Sequence, residues 1–218
     1  MEKFKIGYKK INKTDMIKVI KILENEHKDA KCGLDYTTPL SLVIALILAA
    51  QCTDARVNVI CPILLKKFPD VYKLATADIK DIEEIIHPCG FYRNKSKSIK
   101  NCCEKIVNEF NGNIPNTMKE LVTLPGIGRK SANIILQECF NITEGIAVDT
   151  HVTRITRKIG ISNSNTQESI ENDLMKKIPK NYWNKINHIL VSHGRKYCIA
   201  RKPNCIDCPI ASLCKKND

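Results

Sequence analysis

Residues 121–136 read "LVTLPGIGRKSANIIL". Gly126 and Gly128 bracket Ile127, and Arg129 and Lys130 follow at the start of a helical pattern. Ala132, Ile135, Leu136, Cys139 and Phe140 recur at i, i+3, i+4, i+7 and i+8, one face of a helix. Lys130 falls nearly opposite, with Asn133 and Gln137 continuing its side. Opening a helix this way gives the chain two things. Glycine lets the backbone turn sharply and lets another backbone come close, because no Cβ intervenes. The N–H groups of the first turn then point outward at the positive end of the helix dipole, where an anion binds. Donors of that kind hold a nucleic-acid phosphate without reading sequence. Taken alone, "GIGRK" reads more simply as a Gly-rich turn beside a solvated lysine, so the rest of the chain must decide.

Working outward, the helical period dominates. Met16, Val19, Ile20 and Leu23 make one helix face, and Thr38 with Pro39 reads as an N-cap and first position for "PLSLVIALILAA". "TADIKDIEEII" predicts a helix beginning at Thr76, and Asn101 to Phe110 sets Cys103, Ile106, Val107 and Phe110 on one stripe. "IAVDTHVTRITRKIG" reads as a helix capped by Asp149 and closed by Gly160. No run alternates with period two, so the expected fold class is all-α, with roughly ten short helices. "CGFYRNKSKSI" (Cys89 to Ile99) resembles "PGIGRKSANI" once one residue is inserted, pairing Gly90 with Gly126 and Lys95 with Lys130. Two helix starts sharing one turn chemistry account for this; a second hairpin approaching a phosphate is the other reading.

Composition narrows the classes. The 218 residues are 43% hydrophobic, enough to bury a core, and the longest apolar run is too short to span a bilayer. The N-terminus lacks an apolar signal region, so the 11 cysteines are expected to be reduced in a cytoplasmic setting. A formal net charge of +12 favours a polyanionic partner, although a Lys-rich solvated surface produces the same excess.

Four of the cysteines, Cys198, Cys205, Cys208 and Cys214, cluster as C-x6-C-x2-C-x5-C. Four thiolates can hold tetrahedral zinc or a four-iron cluster, and the C-x2-C core is common to both. The loop carries Arg201 and Lys202, suited to backbone phosphates. The remaining seven sit in or beside apolar helical segments and read as packing residues.

Taken together, "LPGIGRKSA", "VDTHV" 19 residues after Lys130, "AAQCTDARVN" at 49–58, and the cysteine loop behind "HGR" resemble the endonuclease III family of helix-hairpin-helix DNA glycosylases. The resemblance runs from about Thr14 to Cys214. It implies a two-lobed fold. One lobe would be a six-helix barrel domain over 32–141, with the hairpin at about 117–140. The other, 1–31 plus 142–218, would carry a [4Fe-4S] cluster on the four cysteines, with the active site in the cleft between the two. The implied activity is base-excision repair, with removal of oxidised pyrimidines and cleavage of the abasic site by β-elimination. The implied partner is double-stranded DNA holding damaged bases or abasic sites, bound by a monomer and without a membrane.

Carried onto this chain, Lys130 is the expected nucleophile and Asp149 the carboxylate facing positive charge on the sugar. An amine attacks only when unprotonated, and partial desolvation, Arg129 and a helix N-terminus all favour the free amine. Asp149 is also an ordinary helix cap, and the two roles are compatible. Gln51 is expected to fill the space left by a flipped nucleotide. Leu124, Gly126, Ile127, Gly128, Arg129, His151, Arg201 and Lys202 complete the expected DNA-binding set. The sequence departs from the family's frequent pattern at Cys52 and at Thr153, where an aromatic is common. Two alternatives stand beside this reading. A monofunctional mismatch glycosylase would lack a lysine at 130 and carry a further C-terminal domain. A zinc-containing DNA-binding module would need no Lys130 and Asp149 together.

Overall fold

A computed structural model describes residues 9–215. Among them every regular element is helical, eleven α-helices and two 3-10 turns. The chain divides into two compact units. One is Cys32–Glu144; the other joins residues up to Lys31 with those from Gly145 onward.

In the continuous unit, helix α2 (Pro39–Leu48) is the centre, with every side chain from Ser41 to Leu48 buried. It starts as its sequence demands: Thr38 Oγ1 accepts from Ser41 N, and Ser41 Oγ accepts from Thr38 N, a reciprocal capping box with Pro39 at the first position. Around it pack α3 (Asp54–Lys67), α6 (Tyr92–Phe110) and α8 (Arg129–Phe140). The short helices α4 (Val71–Thr76) and α5 (Ile79–Ile86) lie against α6, and α7 (Met118–Leu121) leads into α8.

One expectation is corrected here. Thr76 does not open a helix; it ends α4, where its hydroxyl donates to Tyr72 O, and Asp78 caps the following helix by accepting from Lys80 N at 2.9 Å. The stripe on α6 is also rotated, centred on Ile99, Cys102, Cys103 and Ile106.

The second unit combines α1 (Lys13–Glu26) with α9 (Thr150–Ile159), α10 (Gln167–Lys177) and α11 (Trp183–Lys196). Met16, Val19, Ile20 and Leu23 of α1 join Val152, Ile155, Ile159, Ile189 and Leu190 in one core. The segment before α1 is tied to the end of α9 at Gly160, whose carbonyl accepts from Ile11 N at 3.0 Å. Gly160 has φ +89 and closes α9, and a Cβ there would run into the Lys9 carbonyl, so only glycine fits.

Candidate active site

The hairpin is built from the turn outward. Leu124 N donates to Leu121 O, and Ile127 N donates to Leu124 O at 3.0 Å. The side chains of Leu124 and Ile127 are buried, so what this pair offers outward is main chain. The two glycines turn out to differ. Gly126 has φ +83, and a Cβ on it would sit 3.1 Å from Ser98 Cβ and 3.2 Å from Ile47 Cγ1. Gly128 has an ordinary φ of −94, and a Cβ on it would meet nothing within 4 Å. The fold requires Gly126 but not Gly128.

Gly128 is the N-cap of α8 and therefore brings no side chain to the first-turn N–H groups. Most helices here are capped differently: Asn12, Thr38, Thr53, Asp70, Asp78, Thr117, Asp149 and Thr166 each accept from their own first turn. No capping side chain therefore covers the start of α8, where the positive end of the helix dipole favours an anion. Arg129 is exposed and Lys130 half-buried in that turn, above the buried Ile134.

The related segment at 89–99 repeats the turn but not its use. Gly90 has φ +68, and α6 likewise begins without a side-chain cap. Lys95, however, is 4% exposed, and its Nζ donates to Cys89 O at 2.8 Å. Its ammonium holds the turn together rather than facing a ligand. Phe91, which sequence reasoning passed over, is 63% exposed with φ +48, and it shares a groove with Gln51, Lys95, Ser98 and Gly126. Gln51 is exposed too, with φ +52. A left-handed backbone costs a non-glycine residue about 1 kcal/mol or more, and such strain clusters at working sites. The only sequence signal was an aromatic directly after the glycine of a repeated turn.

In the other unit, Asp149 caps α9, its Oδ1 accepting from Val152 N at 2.8 Å. The carboxylate is half-buried and held by its own helix. The segment before it is anchored by Asn187, whose Nδ2 donates to Ala147 O at 2.7 Å. His151 is engaged structurally: its Nδ1 lies 3.1 Å from Arg154 Nη2, and its ring packs on Gly194. Arg154 donates from Nη2 and Nε to Cys198 O at 2.7 and 3.1 Å, joining α9 to the cysteine loop.

That loop follows α11. Cys198, Cys205, Cys208 and Cys214 all line one cavity of about 80 Å³, with Ile155, Ile159 and His193 among its walls. Burial pushes the Cys198 and Cys208 thiols up, with Arg154 and Lys158 opposing at Cys198. Bound positive charge would be needed to keep them as thiolates. Among the described residues, no three His, Cys, Asp or Glu side chains converge on a point for a single ion. Four cysteines around one cavity are a donor set for either a tetrahedral zinc or a four-iron cluster. Arg201 and Lys202 are exposed on this loop.

Comparison with known proteins follows the same lines. Residues 44–180 match the HhH-GPD superfamily base excision DNA repair protein family. The chain is 46% identical over 210 residues to endonuclease III of Synechocystis, covering 96% of this chain and 94% of that protein. It superposes on a non-covalent endonuclease III–DNA complex with a TM-score of 0.90 and 34% identity, covering 94% of this chain and 96% of that one. A trapped endonuclease III–DNA covalent intermediate matches with the same TM-score and identity.

Proposed function

Because this chain belongs to the endonuclease III family of helix-hairpin-helix base-excision enzymes, we propose which of its residues carry the reaction and in what order. The enzyme is a bifunctional DNA glycosylase and abasic-site lyase acting on double-stranded DNA. The observation that carries the assignment is the placement of Lys130, half-buried in the first turn of a helix that no side chain caps.

The Gly126–Gly128 turn docks a backbone phosphate on the N–H groups at the start of α8, which places Lys130 beside the sugar of the adjoining nucleotide. The free amine of Lys130 attacks C1′. The C1′–N bond to the base breaks, and the base leaves with the electron pair and takes up a proton. Positive charge building on the sugar is met by the Asp149 carboxylate, which its cap bond holds fixed. Loss of the amine proton and opening of the sugar ring leave a Schiff base between Nζ and C1′. Removal of a C2′ proton then drives β-elimination, breaking the C3′–O bond so that the 3′ phosphate leaves. Water finally hydrolyses the imine and frees Lys130. A covalent DNA adduct has been trapped for a relative of this fold, which supports such a step.

Gln51 and Phe91 would enter the duplex, the amide replacing the flipped nucleotide and the ring wedging against the neighbouring bases. The proposed substrates are oxidised pyrimidines. The four cysteines are the proposed ligands of a [4Fe-4S] cluster. When bound, it would tie the four cysteines together and so order the loop bearing Arg201 and Lys202. Four cysteine ligands leave no open coordination position, so the chemistry stays with Lys130 and Asp149.

Borohydride trapping on an abasic-site duplex tests the assignment. The wild type should form a covalent adduct, and Lys130→Ala should form none while still binding DNA within a few-fold. Undiminished trapping by that variant would identify another nucleophile. Anaerobically purified protein should contain about four irons and four sulfides per chain; a colourless zinc protein would refute the cluster.

A further inference from the structure

His27 and His193 form a buried pair that the proposed reaction does not use. His27 follows the last residue of α1 and is 9% exposed; His193, in the last turn of α11, is 1% exposed. Their rings meet edge-on with centroids 5.5 Å apart, and His27 Nε2 lies 3.4 Å from His193 Nδ1. The other nitrogen of His193, Nε2, lies 3.7 Å from Cys208 Sγ. Tyr197 packs against both imidazoles and donates its hydroxyl to Glu26.

Donor chemistry gives this chain a direction. A neutral imidazole has one N–H and one acceptor nitrogen. Two buried imidazoles in contact stay neutral, since charging either one means desolvating a cation against the other ring. A cysteine sulfur that ligates metal has no proton and can only accept. His193 must therefore present Nε2–H to Cys208, leaving its Nδ1 as an acceptor that faces His27 Nε2 at 3.4 Å.

We propose that His27 is a positioning residue for the group held by the four cysteines: its Nε2–H locks His193 in the tautomer that donates a hydrogen bond to Cys208. The inference rests on the cluster reading above. A hydrogen bond to a ligating sulfur stabilises the more electron-rich state, so the pair favours the reduced cluster.

The test begins with iron and sulfide content, then nitrogen NMR of histidine-labelled holoprotein. The expected result is an iron-loaded protein with the His193 proton on Nε2. Protein without iron overturns the cluster reading and this proposal together; iron-loaded protein with the proton on Nδ1 overturns this proposal alone. Voltammetry of variants supplies an independent readout. His27→Phe keeps the volume but removes the donor, and should disfavour reduction about tenfold, equivalent to about 59 mV for one electron. His27→Gln restores an N–H and should recover most of that shift, which a merely structural role would not do. A potential unchanged in both variants overturns the proposal. Should His27→Phe fail to fold, the wild-type tautomer still decides.

Discussion

The Asp149 carboxylate accepts the Val152 amide at 2.8 Å, so one side chain both starts a helix and is the proposed electrostatic partner of the sugar. The two roles separate by substitution. Asp149→Asn keeps an acceptor for Val152 N but loses the charge. It should leave stability within about 0.5 kcal/mol and lower base excision at least about 100-fold, of the order seen for single electrostatic contacts. Asp149→Ala should lose about 1 kcal/mol more in urea unfolding. Comparable excision by the Asn variant and wild type would reduce Asp149 to a cap.

The contrast between Gly126 and Gly128 makes a second prediction. Gly126→Ala must hold φ +83 against Ser98 and Ile47, and should destabilise the protein by about 1–2 kcal/mol. Gly128→Ala meets no protein atom and should cost at most about 1 kcal/mol as a poorer N-cap. It should nonetheless weaken binding to an abasic-site duplex about tenfold or more, because its methyl group would stand where the proposed phosphate approaches. Calorimetry and DNA titration on the same preparations distinguish the two. Unaltered binding by Gly128→Ala would show that the phosphate docks elsewhere.

Gln51 and Phe91 are predicted to act on the cost of opening the duplex, a few kcal/mol. Gln51→Ala and Phe91→Ala should each slow excision from duplex DNA about tenfold. Trapping on a single-stranded abasic oligonucleotide should change much less, since nothing there has to be unstacked. Equal losses on both substrates would point to damage at the reacting centre instead.

Glu26 accepts from Lys196 Nζ at 2.8 Å and from the Tyr197 hydroxyl at 2.7 Å, and these bonds draw its carboxyl down to about 2. A carboxyl depressed in the folded state stabilises the protein above its unfolded value near pH 4.3, and that contribution disappears as pH falls toward 2. Urea midpoints of wild type and Glu26→Gln should therefore differ at pH 6 and converge between about pH 5 and 2. A gap that stays constant across that interval would contradict the assignment.

What the sequence could convey was set by range. The buried face of α1, the Thr38–Pro39 start and the Asp149–Gly160 helix are local patterns, visible as spacing and capping chemistry. Helix α4 spans only Val71–Thr76, too short to show a period, so in the sequence Thr76 reads as the start of the helix after it. Asn133 reads as part of a polar side of α8, yet it is 4% exposed, because the helix is covered on more than its apolar stripe. Phe91 was hidden for the opposite reason: bulky residues rarely adopt a left-handed backbone, so propensity argues against what the fold imposes. The His27–His193 contact joins residues 166 apart in sequence, which no window along the chain can register.

The joining of both chain ends in one unit also orders events on the ribosome. The segment Cys32–Glu144 is continuous and can condense once it has emerged. Helix α1 is made before the continuous unit but must wait for α11, made after it, before it can complete the burial of its apolar face. The cysteines come later still. Biogenesis would therefore pass through a stage in which the hairpin bearing Lys130 is already folded while Asp149 and the four thiols are not, so the proposed nucleophile would mature before its proposed carboxylate partner.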